Sequence, residues 1–278
     1  MNDPRGSQWR RWDLHVHTKG TKKNDQFKSS TFEEYCIILF KKALEKGIDA
    51  IGITDYFTVE NYKNVIRFVE NIDDRSEFTE IERARIKEIY ILPNIELRMF
   101  PVTDSGRLVN IHCLVNPSYV DHLENSLFSS IEYAGGSGLK FKMNRQGFID
   151  LGKNLDSRLD DNAAFQRGVK TFVVTISDLQ EVLDENKEFR NNVLIVVSNS
   201  NKDGVSAFQQ HHDFFENSDA GSLEAVRKSI YCNADAIFSS NESDFTYFHG
   251  KGVDTTDQVI EKCGSLKPCI HGGDSGTN

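Results

Sequence analysis

Apolar positions along this chain follow two rhythms. Short runs such as "WDLHVH", "DAIGIT", "EIYILPNIEL", "LVNIHCLV", "NVLIVVSNS", "DAIFSS" and "KPCIHGG" have the length and β-branched content of strands. Between most of them lie longer stretches with helical spacing. "TFEEYCIILFKKALEKG" predicts a helix, with Thr31 and Glu34 set as a capping box and Gly47 as its stop. Residues 59–87 are charged and helical in pattern, and so are 119–133 and "GSLEAVRKSIYC". The alternation predicts a parallel α/β architecture, either a barrel or a doubly wound sheet. Residues 134–192 break the rhythm: they open on "GGSG" and show no buried strand before "TFVVTI". They read as an insertion over one end of a single domain spanning 1–278. Their basic residues, Lys140, Lys142, Arg145, Lys153 and Arg158, either form a solvated charged face or meet phosphates, the first being the simpler reading.

Chemically capable side chains fall near the predicted strand ends. His15 and His17 close the first strand; separated by one residue, they point to the same face. Asp55 closes the second strand and Glu96 the third, and His112 lies in the fourth. Asn199 and Asn201 follow a later strand, and Asp274 follows the last. Carboxyl ends of parallel strands are where α/β folds place their sites. Imidazoles mixed with carboxylates suit zinc, manganese or iron better than an all-oxygen magnesium site. Arg98 shares the strand face of Glu96, as a salt-bridge partner or a bidentate phosphate contact. Lys202, in "NSNKDG", is either a phosphate contact or a solvated turn lysine. His211, His212 and His249 sit among polar residues and read as exposed; His271 stays unassigned.

Bulk properties narrow the classes. The net charge of -9 argues against nucleic-acid affinity through overall charge, while leaving room for a local basic groove. No apolar run reaches a membrane span, and the first residues lack an apolar signal core. Five cysteines without C-x-x-C spacing do not form a disulfide framework, which points to reducing cytoplasm.

Taken in order, "DLHVHT", "GITDY", "PNIEL", "IHCLVNP" and "HGGDS" resemble the motifs of the PHP (polymerase and histidinol phosphatase) superfamily of metal-dependent phosphoesterases. The phrases "RWDLHVHT", "GITDYF", "IELR" and "NSNKDG" are similar to the PHP portion of TrlF-like proteins, in which an ATPase region follows. The resemblance implies a distorted (β/α)7-type barrel and one or two divalent metal ions. His15, His17, Glu96 and Asp274 would hold one ion, and Glu96 would bridge to a second held by His112. Asn199 or Asn201 stands where the family has a further histidine for the second ion. Tyr56 and Gly276 replace two histidines that serve a third metal in trinuclear members, which implies that this third site is missing. Asp55 reads as a group orienting a ligand histidine.

The implied activity is phosphoester hydrolysis, in nucleic acid or nucleotides, alongside an ATPase domain or subunit and in defence against phage. The chain has no G-x-x-x-x-G-K-[ST] loop of its own. Two other readings compete. The lost histidines fit a degenerate PHP domain serving as a scaffold or partner-binding module. Hydrolysis of C–N bonds uses similar ligands, but no carboxylated-lysine arrangement is apparent.

Overall fold

The computed structural model describes residues 10–23, 25–102, 108–134, 138–199 and 221–270. These residues form two compact units. The first holds the residues up to Asp55 together with Val59–Asn94, and the second holds Tyr56–Thr58 and the residues from Ile95 onward.

In the first unit β1 (Arg11–His17) lies parallel to β2 (Ile48–Tyr56), and β3 (Tyr90–Val102) begins here. The helix α1 (Phe32–Lys46) starts where expected. The Thr31 side chain accepts the Glu34 N–H, and Gly47 takes the left-handed conformation that ends the helix. The box closes one residue early, because the Glu34 carboxylate accepts from the N–H and hydroxyl of Ser30. Tyr35, Cys36, Phe40 and Ala43 bury one face of α1, and Phe40 stacks on Phe68 of α2 (Glu60–Glu70) at 5.8 Å. The helical stretch expected over 59–87 divides in two. A 3-10 turn (Ile72–Asp74) follows α2, and α3 (Glu80–Glu88) restarts from its own Thr79–Glu82 capping box.

In the second unit the sheet order is β3, β4 (Leu108–Val115), β8 (Val193–Ser198), β9 (Ala236–Phe238) and β10 (Cys269–Ile270). The pairs β8–β9 and β9–β10 are parallel, and β7 (Val174–Thr175) lies parallel on β3. The expected all-parallel arrangement fails at β4, which runs antiparallel to β8 with His112 opposite Val196. A parallel crossover needs about a dozen residues or more. Only 103–107 separate β3 from β4, so these neighbours are also antiparallel. The apolar pattern marks each strand but carries no information on its direction. Helices α8 (Gly221–Asn233), α9 (Glu242–Phe248) and α10 (Thr256–Cys263) complete this unit.

The segment 134–192 is a helical elaboration. A hairpin of β5 (Glu132–Ala134) and β6 (Lys140–Lys142) leads to α4 (Arg145–Leu155), α5 (Asp161–Thr171), β7, α6 (Ile176–Glu185) and α7 (Lys187–Asn191). The α4 and α5 backbones approach closely: a Cβ on Gly168 would stand 1.9 Å from the Phe148 carbonyl oxygen. In "TFVVTI" Phe172, Val173, Val174 and Ile176 are buried, but only Val174–Thr175 is strand, because Thr175 and Asp178 form a capping box that starts α6. Four of the five basic residues have local partners. Lys140 pairs with Glu132, Lys153 with Asp161 and Arg158 with Asp156, and Arg145 lies over the Phe165 ring. A cavity of about 770 Å³ in this region is lined by Glu132, Asp178, Glu181 and Glu185 along with Lys140. Its acidic wall disfavours phosphate. Among the described residues, no helix is long and apolar enough to cross a membrane.

Candidate metal centre

The histidine pair is shaped by an irregularity in β1. Asp13 pairs with Ile51 and Val16 with Ile53, so β1 carries one residue more than β2 over this span. Such a bulge re-aims side chains. The Leu14 carbonyl displaced by it accepts a hydrogen bond from the buried Asn94 amide at 2.8 Å, and the same Nδ2 also donates to Thr54 Oγ1. His15 and His17 then bring their Nε2 atoms to 3.2 Å from each other. Two nitrogens bound about 2.0–2.1 Å from one tetrahedral ion would stand roughly 3.3 Å apart. The pair therefore has the spacing of two ligands on one cation. Tyr35 of α1 holds the end of the strand by donating to the His17 carbonyl at 2.8 Å.

Asp55 is buried at the end of β2. Its two oxygens accept from Asn61, one from the backbone N–H at 2.9 Å and one from the side-chain amide at 3.0 Å. The expected partner was a ligand histidine; the hydrogen-bond partner found is the first turn of α2. Burial lifts its pKa to about 7, against the opposing pull of the Asn61 hydrogen bonds, Lys22 and His17. The sign follows from linkage. With the folded value above the unfolded one, the carboxyl's contribution to stability is complete below about pH 4 and is lost as pH rises through about 7. We expect chelator-treated protein to lose on the order of 2 kcal/mol between pH 5 and pH 8 from this group. Urea denaturation at both pH values should show the loss in wild type and a flatter profile in Asp55→Asn. Equal slopes would remove Asp55 as the cause.

Glu96 and His112 are buried in the second unit. The Glu96 carbonyl accepts the N–H of Phe57, whose φ of 57° places a bulky residue in the left-handed region. The Phe57 ring packs on Phe148 and Phe172, so the helical insertion supplies the apolar contacts that hold this strained residue beside Glu96. His112 meets the Phe238 ring edge-on at 5.0 Å. His15 in the first unit, and Glu96 and His112 in the second, are each buried and each offers an atom that can ligate a metal. Two imidazoles and a carboxylate fit a divalent cation of the zinc, manganese or iron class. Arg98, two residues on, is half-buried and makes no ion pair among the described residues, so its salt bridge to Glu96 is absent.

Asn199 is buried at the end of β8. Its N–H donates to the Phe238 carbonyl at 2.8 Å, and its amide Nδ2 donates to Asp244 at 2.7 Å. Asp244 was not singled out in the sequence. Its signal, an acidic residue in a short polar segment after a strand, is shared with many surface helix starts. His249 is exposed, as expected. Asn201, Lys202, His211, His212, His271, Asp274 and Gly276 lie outside the described residues.

A groove of about 540 Å³ adjoins the loop that follows His17. Lys19, Arg67 and Arg75 line it with Asn61 and Asn64. Arg75 is paired with Glu33 at 2.8 Å, and the Asp25 carboxylate accepts the N–H groups of Gly20 and Phe27. Lys19 and Arg67 make no ion pair among the described residues. On a chain of net charge -9, this is a local cationic surface next to the histidine strand.

No protein-family profile matches the chain, and no curated protein matches it. Among solved structures, it is similar to a crystal structure of a Bifidobacterium adolescentis protein described as a metal-dependent phosphoesterase. The likeness has 11% identity and a TM-score of 0.41, over 96% of this chain and 88% of that one.

Proposed function

We propose that this chain is a metal-dependent phosphoesterase. The carrying observation is the pair of His15 and His17, whose Nε2 atoms stand 3.2 Å apart, the spacing of two ligands on one cation. Glu96 and His112, buried in the second unit, are the further ligands of the proposed set. Keeping two imidazole nitrogens this close has a physical purpose when they share a cation. A bound divalent ion would supply an activated water and neutralise charge developing on phosphorus. The chain's own residues would do the rest. His15, His17 and His112 present nitrogen donors, and Glu96 offers a carboxylate able to serve two ions. In this reading Arg98 would hold a phosphate oxygen, and Lys19 and Arg67 would draw phosphate into their groove. Asp274 and Lys202 complete the proposed set as a ligand and a phosphate contact, on the sequence resemblance alone. A substrate with several phosphates, a nucleotide or nucleic acid, suits this arrangement. An ATPase partner and a role in phage defence rest on the TrlF-like phrases.

The test is hydrolysis of phosphate monoesters, nucleotides, single strands and duplexes by manganese-loaded protein. We expect turnover of at least one class, abolished by chelator and by Glu96→Gln with an unchanged melting temperature. Lys19→Ala/Arg67→Ala should raise KM several-fold for polyphosphate substrates and leave kcat near wild type. Metal-loaded wild type that hydrolyses none of them would favour the scaffold reading, for which Tyr56 in place of a metal-site histidine is the specific observation.

A further inference from the structure

Among the described residues, Phe57 is the one non-glycine residue with a positive φ, at 57°. A Cβ makes that conformation costly, and glycine would adopt it freely. The chain nevertheless keeps a large ring there and buries it, with only 2% exposed. The ring meets Phe172 at 5.5 Å and Phe148 at 5.8 Å. Phe148 and Phe172 pack edge to face on each other at 5.1 Å, with Phe165 against the first and Tyr133 against the second. The α4 and α5 backbones behind these rings touch at a further point: a Cβ on Gly152 would stand 1.9 Å from the Ala164 carbonyl oxygen. Neither helix can slide past the other without a clash, so the rings have one placement.

Such strain persists only where the surroundings over-determine it, and what it fixes is a direction. The angle φ is the rotation about the N–Cα bond. With the Phe57 ring clamped by the insertion, φ decides where the Phe57 N–H points, and it points at the Glu96 carbonyl, 3.3 Å away. Glu96 is itself 1% exposed, in the strand β3. We infer that Phe57 is a positioning residue: clamped by Phe148 and Phe172, it holds the Glu96 backbone so that the carboxylate is presented to a divalent ion. This gives the segment 134–192 a task, as the buttress of a ligand and not as a binding surface. The inference rests on the metal-centre reading above and adds to it the residue that sets Glu96. A ligand must be held to within about 0.5 Å of its productive place, which one tilted peptide would spoil.

Phe172→Leu is the informative substitution, since it loosens the clamp and changes neither Phe57 nor Glu96. Phe189→Leu is its control: that ring is equally buried, in α7, and faces Tyr119 at 6.0 Å. Cobalt titration of chelator-treated protein reads affinity and, through the visible bands, ligand geometry; a melting curve of the metal-free form reads stability. We expect both variants to melt lower. Only Phe172→Leu should bind cobalt about tenfold more weakly and shift the bands, tenfold being the lower end for loss of a group that orients a ligand. Phe57→Gly, which frees φ, should weaken binding similarly. Adding Phe172→Leu to it should cause no further loss, because both act through one contact. Unchanged cobalt affinity in Phe172→Leu would make the cluster purely structural and overturn the inference. So would an equal loss in Phe189→Leu, or losses that multiply in the double variant. Wild type that binds no cobalt would instead overturn the metal-centre reading itself. Should Phe172→Leu or Phe57→Gly not fold, Phe148→Leu or Phe57→Leu takes its place under the same criteria.

Discussion

His15→Ala/His17→Ala protein, purified without chelator, should retain less than a tenth of the metal bound by wild type. Elemental analysis of wild type should return about one to two equivalents of zinc, manganese or iron. The expected size of the loss follows from geometry. The two Nε2 atoms stand 3.2 Å apart on one strand, close to the spacing of neighbouring ligands on a tetrahedral ion. Removing both takes two nitrogen donors from the ion at once, which should cost more than the 10–100-fold typical of an outer partner. Hydrolysis should fall with metal content, and the fold should survive, because alanine is tolerated in a strand that hydrogen-bonds through its backbone. Wild type that stays near zero after reconstitution with each metal would remove the metal mechanism. Equal metal content in both proteins would place the ion elsewhere.

Much of this arrangement was legible in the sequence, and the rest was hidden for identifiable reasons. Strand positions follow from apolar runs, and "LVNIHCLV" matches β4 residue for residue. The start and stop of α1 follow from Thr31 and Gly47, because capping chemistry is local. The shared face of His15 and His17 follows from strand alternation. Strand direction does not: β4 reads like its parallel neighbours because burial on both faces leaves no mark of polarity along the chain. Asp244 and Asn94 were missed for a related reason. Each is a buried polar residue whose partner is distant in sequence, Asn199 for one and Leu14 for the other. Such pairs leave no periodic trace. The basic residues of 134–192 suggested phosphate binding as one option, but Lys140, Lys153 and Arg158 have acidic partners close in the chain that neutralise them locally. The cationic groove instead joins Lys19 to Arg67, and only the folding of α2 brings them together.

Gly52→Ala is expected to be the most damaging single-methyl change near the centre. Gly52 faces the extra residue of the β1 bulge. A Cβ there would stand 2.2 Å from the Leu14 carbonyl oxygen, 2.7 Å from its carbon and 2.8 Å from its Cα. These are backbone atoms, so no rotamer change can make room. The oxygen is also the one that Asn94 holds at 2.8 Å, so β1 cannot move outward without loosening that buried bond. Overpacking of this kind costs about 1–3 kcal/mol, and leaving the buried Asn94 donor short of its partner adds to it. Whatever shift relieves the contact displaces Leu14, and His15 is the next residue. A displacement of even about 1 Å disturbs a site that must hold its ligands to within about 0.5 Å. We therefore expect Gly52→Ala to lower the urea midpoint and to weaken metal binding at least tenfold, although position 52 carries no ligand. Measuring both on one preparation separates the outcomes. A lower midpoint with unchanged metal affinity would show that the bulge supports the sheet without setting the histidines, and no change in either would refute the close approach. Loss of both would show that the absence of one methyl group in β2 is what allows β1 to deliver two imidazoles to one ion.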